Sequence, residues 1–242
     1  MRTLGLIGGM SWESTAHYYA RINQLVAQRL GGLHSARLSL YSLDFEVLHK
    51  MQHADDWRGA AGLLITAVQC LERAGAEGLV ICTNTMHKVA PEIEAAVKLP
   101  LIHIVDATAD AIKHAGLETV ALLGTRFTME QDFYKQRLEQ RHGLRVIIPD
   151  EDERHALHRI IFMELCKGEV RPDSRRLFLA VITRLAAAGA QGAILGCTEF
   201  SLFGVQDLPG IVLFDTTELH ARTAVDWSLD GHHALLAEQK HI

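Results

Sequence analysis

Two stretches of this chain end an apolar run on nearly the same reactive turn. The first is Gly75-Ala76-Glu77-Gly78-Leu79-Val80-Ile81-Cys82-Thr83-Asn84-Thr85, and the second is Gly189-Ala190-Gln191-Gly192-Ala193-Ile194-Leu195-Gly196-Cys197-Thr198-Glu199. Laying Gly75 on Gly189 brings Thr83 onto Cys197. A duplicated chain whose strand ends each present a proton carrier can serve both faces of one carbon, which is the chemistry of racemisation. Here one carrier is a thiol and the other an alcohol. A free thiol titrates near ~8.5 and an alcohol, like water, near ~15. At about 1.36 kcal/mol per unit, that gap of about 7 units disfavours a resting alkoxide by roughly 9 kcal/mol. Thr83 therefore cannot rest as a base, but it can hand a proton to a far more basic carbanion. Cys197 sits at a strand-to-helix turn, where helix N-terminal amides favour the thiolate, so it is expected to act as a base near neutrality.

The elements that must position these residues repeat as well. Leu4-Gly5-Leu6-Ile7-Gly8 matches Val120-Ala121-Leu122-Leu123-Gly124 at almost the same offset, and the Asp106 and Asp215 segments match less closely. Self-similarity of this kind sets the architecture before any single motif does. Strands are predicted at 4–8, 38–42, 79–82, 101–105, 120–124, 145–148, 193–196 and 211–214. Most are continuous apolar runs, as parallel strands covered on both faces should be. Amphipathic helices separate them. One carries Tyr18, Ile22, Leu25, Val26 and Leu30 and stops at Gly31-Gly32; another is capped by Asp55 or Asp56 and ends at Gly75. Thr128 with Gln131 reads as a capping box, and Pro172 suits the first turn of a helix running to Ala188. The reading is α/β, with two pseudo-symmetric doubly wound lobes of mainly parallel sheet and a site in the cleft between them. The expected lobes are 1–105 with 215–242, and 106–214, the chain crossing at Asp106 and returning at Asp215.

Composition narrows the function classes. The chain has 242 residues, 48% of them hydrophobic, and a net charge of −5 without a basic stripe, so nucleic acid is not an expected partner. No apolar run reaches the roughly 18 residues of a membrane span, and the glycine-broken N-terminus does not read as a signal peptide. Cysteines 70, 82, 166 and 197 lack zinc-ligand or CxxC spacing, so free thiols, no metal and a cytoplasmic setting are expected. Cys82 neighbours Thr83 on a strand and points to the opposite face, so it is read as core, as are Cys70 and Cys166.

Ligands of open parallel sheets bind beyond the carboxyl ends of the strands. The polar residues expected there are Gly8-Gly9-Met10-Ser11, Asp44, Thr83-Asn84-Thr85, Gly124-Thr125 and Cys197-Thr198. Asn84, Thr85 and Thr198 can donate hydrogen bonds to a carboxylate and to developing enolate charge, or simply cap helices. Thr125 falls in the repeat-partner region of Gly9 and Met10, and Met10 and Thr125 are candidates to contact a ligand, with Gln52 as a further candidate. His87 and Glu199 follow the reactive turns as candidate orienting groups. No dinucleotide fingerprint, Walker A sequence or G-x-S-x-G elbow is present, and no cofactor is expected.

Cys197-Thr198-Glu199 after Ile194-Leu195-Gly196, Thr83-Asn84-Thr85-Met86-His87, and the opening Leu4-Gly5-Leu6-Ile7-Gly8-Gly9-Met10-Ser11-Trp12-Glu13 together resemble the aspartate/glutamate racemase family. The opening segment resembles the start of its aspartate racemase and broad-specificity branch. The resemblance implies two α/β lobes, no pyridoxal phosphate, no metal, an amino-acid substrate with aspartate or glutamate favoured, and a homodimer. It also implies that the second-half cysteine serves the L-enantiomer, and that a basic residue near Lys167 meets a side-chain carboxylate. The family pattern has a cysteine before Asn-Thr where this chain has Thr83, which implies slow racemisation with an L-amino acid handled better. Three alternatives stay open. One is a sister activity such as hydantoin racemisation, maleate isomerisation or arylmalonate decarboxylation. Another is a hydrolase using Cys197 and His87. The third is a non-catalytic amino-acid-binding relative.

Overall fold

A computed structural model describes residues 1–205 and 208–239. The chain forms two compact units, one of Met1–His103 with the chain from His220 onward, the other Ile104–Leu219.

The first unit runs β1 (Leu4–Gly8), α1 (Trp12–Leu30), β2 (Leu38–Ser42), α2 (Phe45–His53), α3 (Trp57–Arg73), β3 (Gly78–Ile81), a 3-10 turn (Thr85–Val89) and α4 (Ala90–Ala96). Its sheet is parallel, in the order β2-β1-β3. β1 and β3 are buried along their whole length, which explains their unbroken apolar sequences, whereas the edge strand β2 is half open and mixes Leu with Ser and Tyr. Helix starts follow local chemistry: the Ser11 hydroxyl accepts from Ser14 N (3.2 Å), Asp44 from Glu46 N (3.1 Å) and Asp56 from Gly59 N (2.8 Å). Gly31, at φ 73°, stops α1 where a side chain would strain. Apolar side chains pack on both faces of the sheet, with Leu64, Val68, Ile81 and Ile93 on one side and Tyr18, Ile22, Val80 and Val225 on the other.

The second unit runs α5 (Ile104–His114), β4 (Thr119–Gly124), α6 (Arg126–Glu130), α7 (Asp132–Gln136), a π turn (Arg137–Arg141), β5 (Arg145–Ile147), α8 (Glu151–Met163), a 3-10 turn (Leu165–Lys167), α9 (Pro172–Ala187), β6 (Gly192–Gly196), a 3-10 turn (Thr198–Phe203) and β7 (Val212–Asp215). α10 (Thr216–Gln239) then leads back toward the first unit's residues. The sheet is again parallel, β5-β4-β6-β7, so in each unit the first strand lies between the second and third. Around β4 and β6 sit Phe178, Phe200 and Phe203, whose ring centroids lie 4.7 to 6.3 Å apart. Each buried phenylalanine contributes about 2–3 kcal/mol of apolar burial, and together they clamp the turn after β6 onto α9.

Three expectations from sequence differ from the structure. The run at 101–105 is not a strand: Leu79 N donates to Pro100 O and Ile102 N to Leu79 O, making one bridge at Leu101, and α5 starts at Ile104. Ala107, Ala109 and Ala111 favour the helix, and Asp106 sits favourably in its first turn. Asp106 therefore ends no strand, and its carboxylate accepts from Arg137 Nε (2.7 Å), Arg137 Nη2 (2.6 Å) and His142 Nε2 (2.8 Å). Asp215, by contrast, ends β7 and accepts from Thr217 N and Glu218 N. The cap of α6 is Thr125, which accepts from Thr128 N, and not Thr128 with Gln131. Cys70 and Cys166 are half-buried and not core, because Cys70 faces the Arg73 guanidinium and Cys166 lies at the rim of the second unit's core. No helix among the described residues is long and apolar enough to cross a membrane.

Candidate functional site

In the first unit the reactive turn grows out of β3. Cys82 N still donates to Ile7 O, continuing the ladder, and Thr83 N then folds back onto Ile81 O. The alternation of the strand sends the Cys82 side chain into the core, where it is fully buried and burial pushes its thiol far above the ordinary range. Thr83 is partly exposed at the strand end. His87, one turn on, donates from Nδ1 to Thr83 O (2.8 Å), which fixes that carbonyl and the turn with it. Asn84 and Thr85 are buried in the 3-10 turn, and the Asn84 side chain makes no capping bond, so the capping role considered for it is not the one it plays.

Met10 and Gln52 belong to the same end of this sheet. Met10 follows Gly8-Gly9, where Gly9 at φ 82° passes so close to Leu43 that a Cβ would fall on its backbone. Gly9 N donates to Thr15 Oγ1 (2.8 Å), locking the loop to α1. Gln52 is buried on α2 and its Nε2 approaches Met86 Sδ at 3.1 Å. Met10 and Met86 share one apolar cluster and Gln52 reaches Met86, while Thr83, Asn84 and Thr85 precede Met86 in the same unit.

In the second unit β4 and β6 pair with Gly124 opposite Gly196, and each is followed by a candidate residue, Thr125 or Cys197. The close approach explains the glycines: a Cβ on Gly196 would stand 2.7 Å from Leu123 O. Thr125 is buried and engaged with Thr128. Cys197 is extended (φ −144°, ψ 127°), 8% exposed, and begins the 3-10 turn held by Phe200 and Phe203. Its Sγ donates to Glu199 Oε2 (3.0 Å), and the Thr198 hydroxyl donates to the same oxygen (2.6 Å). Burial, the Glu199 carboxylate and nearby Cys166, in that order, push the Cys197 thiol well above its ordinary value. This reverses the expected direction: burial first, and then the carboxylate folded onto the sulfur, favour the thiol over the thiolate that the turn's amides were expected to hold. Lys167 stands exposed on the 3-10 turn that packs beside the one after Cys197.

Sequence reasoning gave Glu199 only an orienting role and missed two residues behind the first turn. His220 is fully buried, with Nδ1 2.9 Å from the Tyr18 hydroxyl and Nε2 2.7 Å from Ile102 O. Its ring and that of His103 both lie against His87, at 5.7 and 4.6 Å between centroids. The acidic residue two places after Cys197 was visible in the sequence, but the histidine cluster joins positions over a hundred residues apart and left no local signal.

The geometry can be set beside known proteins. A model of the Asp/Glu/Hydantoin racemase family matches residues 7–224. A crystal structure from Yersinia pestis, described as a candidate Asp/Glu racemase, is 54% identical, covers 95% of this chain and 100% of its own, and superposes with a TM-score of 0.88. An aspartate racemase homologue from Pyrococcus horikoshii is 34% identical, with 94% and 99% coverage and a TM-score of 0.82. The broad-specificity amino-acid racemase RacX of Bacillus subtilis is 26% identical over 152 residues, which covers 61% of this chain and 64% of RacX. With two parallel α/β sheets of three and four strands and a family match across nearly its whole length, this chain belongs to the Asp/Glu/Hydantoin racemase family.

Proposed function

We propose that the protein is a cofactor-independent amino-acid racemase with aspartate or glutamate as favoured substrates, Cys197 serving one face of the α-carbon and Thr83 the other. The observation that carries this reading is the turn after β6. It holds a buried thiol beyond the carboxyl end of a parallel strand, bonded to an acceptor that can relieve it of its proton, in a chain of a racemase family. In this reading Cys197 as thiolate removes the α-proton of the L-enantiomer and Thr83 returns a proton to the opposite face. Asn84 and Thr85 donate hydrogen bonds to the α-carboxylate and to the enolate charge that develops on it, and Thr198, whose hydroxyl is given to Glu199, joins them through its backbone N–H. Met10, Gln52 and Thr125 contact the bound amino acid, and the Lys167 ammonium meets its side-chain carboxylate.

The alcohol at position 83 makes the second transfer slow. Because the enantiomers have equal free energy in water, kcat/KM is equal in the two directions, and only kcat and KM separately can differ. A non-catalytic amino-acid-binding protein is the second reading, favoured by one observation: Cys197 is buried against the Glu199 carboxylate, which pushes its thiol up, and its counterpart at position 83 is an alcohol. Chiral chromatography of L-aspartate and L-glutamate incubated with the protein separates the two. Slow appearance of the D-enantiomer supports racemisation, and unchanged optical purity over days at high protein concentration refutes it.

A further inference from the structure

We propose that His87 is a positioning residue for Thr83, holding the strand-end alcohol where it can return a proton to the substrate's α-carbon. The inference rests on the racemase reading given above and extends it to a side chain that acts through Thr83 without touching the substrate. Thr83 is where the chain leaves the sheet. Cys82 N still pairs with the neighbouring strand at Ile7 O, whereas Thr83 N turns back to Ile81 O (2.8 Å). The Thr83 carbonyl accepts from His87 Nδ1 (2.8 Å), and His87 N donates to Asn84 O (3.1 Å), so His87 closes the turn with both its ring and its amide. The two halves of the chain hold this place differently. After β6 the equivalent carbonyl, Cys197 O, accepts from a backbone amide, Phe200 N (3.1 Å), while after β3 the carbonyl of Thr83 is given to a side chain.

The ring that makes this bond is itself held. Thr83 O can only accept, so Nδ1 carries the ring proton. His87 is 2% exposed, and a buried N–H deprived of its acceptor is costly, which keeps the bond closed. His103 and His220 pack against the ring edge to face, with centroids 4.6 and 5.7 Å away and interplanar angles of 60° and 66°. His220 is fixed in turn between the Tyr18 hydroxyl (2.9 Å) and Ile102 O (2.7 Å). The imidazole is thus wedged in place, and the peptide plane after Thr83 cannot rotate without breaking its bond. An alcohol needs that restraint. Its hydroxyl delivers a proton only while the carbanion lives, so the alignment must exist beforehand. Fixing the peptide plane at the strand end supplies the alignment, and no bond of His87 itself forms or breaks in the reaction.

The test compares two substitutions with the parent protein, folding being checked by circular dichroism. His87→Phe keeps a ring against His103 and His220 but has no donor, and His87→Asn keeps a donor for Thr83 O without the ring. If His87→Phe does not fold, His87→Leu takes its place under the same criteria. L-aspartate is incubated in deuterated buffer, and the ratio of D-enantiomer formed to α-proton exchanged is measured by chiral chromatography and proton NMR. The ratio should fall about 10-fold or more in His87→Phe, with exchange at Cys197 retained, and stay within about 3-fold of the parent in His87→Asn. Amide hydrogen exchange gives a second readout that needs no activity. The Thr83 amide should exchange about 10-fold or more faster in His87→Phe, while that of Cys82, paired to Ile7 O, keeps its protection. Inversion and exchange that fall together in His87→Phe, leaving the ratio unchanged, overturn the proposal. A ratio that falls as far in His87→Asn overturns it too, since the donated hydrogen bond would then not be what holds Thr83. So does an equal loss of protection at Thr83 and Cys82, because His87 would then only stabilise the unit. If the parent protein exchanges no amino acid at all, the racemase reading fails, and the two amides alone decide whether His87 holds Thr83 in place.

Discussion

His220 makes the stability of the first unit depend on mild acid in a way that can be worked from its surroundings. Ile102 O can only accept, so Nε2 carries the proton of the neutral ring and Nδ1 accepts from the Tyr18 hydroxyl. Burial favours that neutral ring, against the pull of the Ile102 carbonyl, and brings its pKa from 6.5 down to about 4. The folded value lies below the unfolded one, so the unfolded chain binds the extra proton first. Stability is therefore full above about pH 6.5 and is lost as the pH falls toward 4. Integrating the two titrations between pH 7 and 4.5 gives a loss of roughly 2.5 kcal/mol.

All three tryptophans, Trp12, Trp57 and Trp227, lie in the first unit, so urea unfolding followed by tryptophan fluorescence reports on it alone. The parent protein should lose that stability across this window. His220→Gln, which keeps a donor for Ile102 O but cannot protonate, should show a flatter profile by about the same roughly 2.5 kcal/mol. Parallel profiles for the two proteins would refute the assignment of a buried neutral His220.

Thr83→Cys restores a thiol at the strand end and should raise α-proton exchange of D-aspartate about 100-fold or more, while Cys82→Ala leaves exchange of either enantiomer unchanged because that side chain lies in the core. Exchange measured by proton NMR on both variants separates the two neighbouring positions. Phe178→Ala empties the space between Phe200 and Phe203 and should cost about 3–5 kcal/mol in denaturant unfolding of the second unit, followed by far-ultraviolet circular dichroism.

The parallel sheets were readable because β1, β3 and β6 are buried throughout and so carry no polar residue. Helix boundaries at Gly31, Asp56 and Pro172 were readable because caps act within a few residues. The run at 101–105 was not, since a short apolar stretch fits a buried strand or a buried helix start equally, and contacts with the Arg137 turn settle it. Thr125 and Thr128 are both plausible caps by type, and only the backbone geometry chooses Thr125. At the site, the strand period correctly separated Cys82 from Thr83. The ionisation of Cys197 escaped the sequence because it depends on one rotamer of Glu199 and on the burial of the whole turn. His220, Tyr18 and Ile102 come together only through folding of the first unit.

The most direct test of the central claim is proton NMR of L-aspartate and L-glutamate with the protein in deuterated buffer, beside a Cys197→Ala control. The account predicts loss of the Cα–H signal with the parent protein, faster than optical rotation decays, and no loss with the variant. A Cα–H signal that persists for every amino acid tried, or that is lost equally with Cys197→Ala, would contradict proton transfer at Cys197.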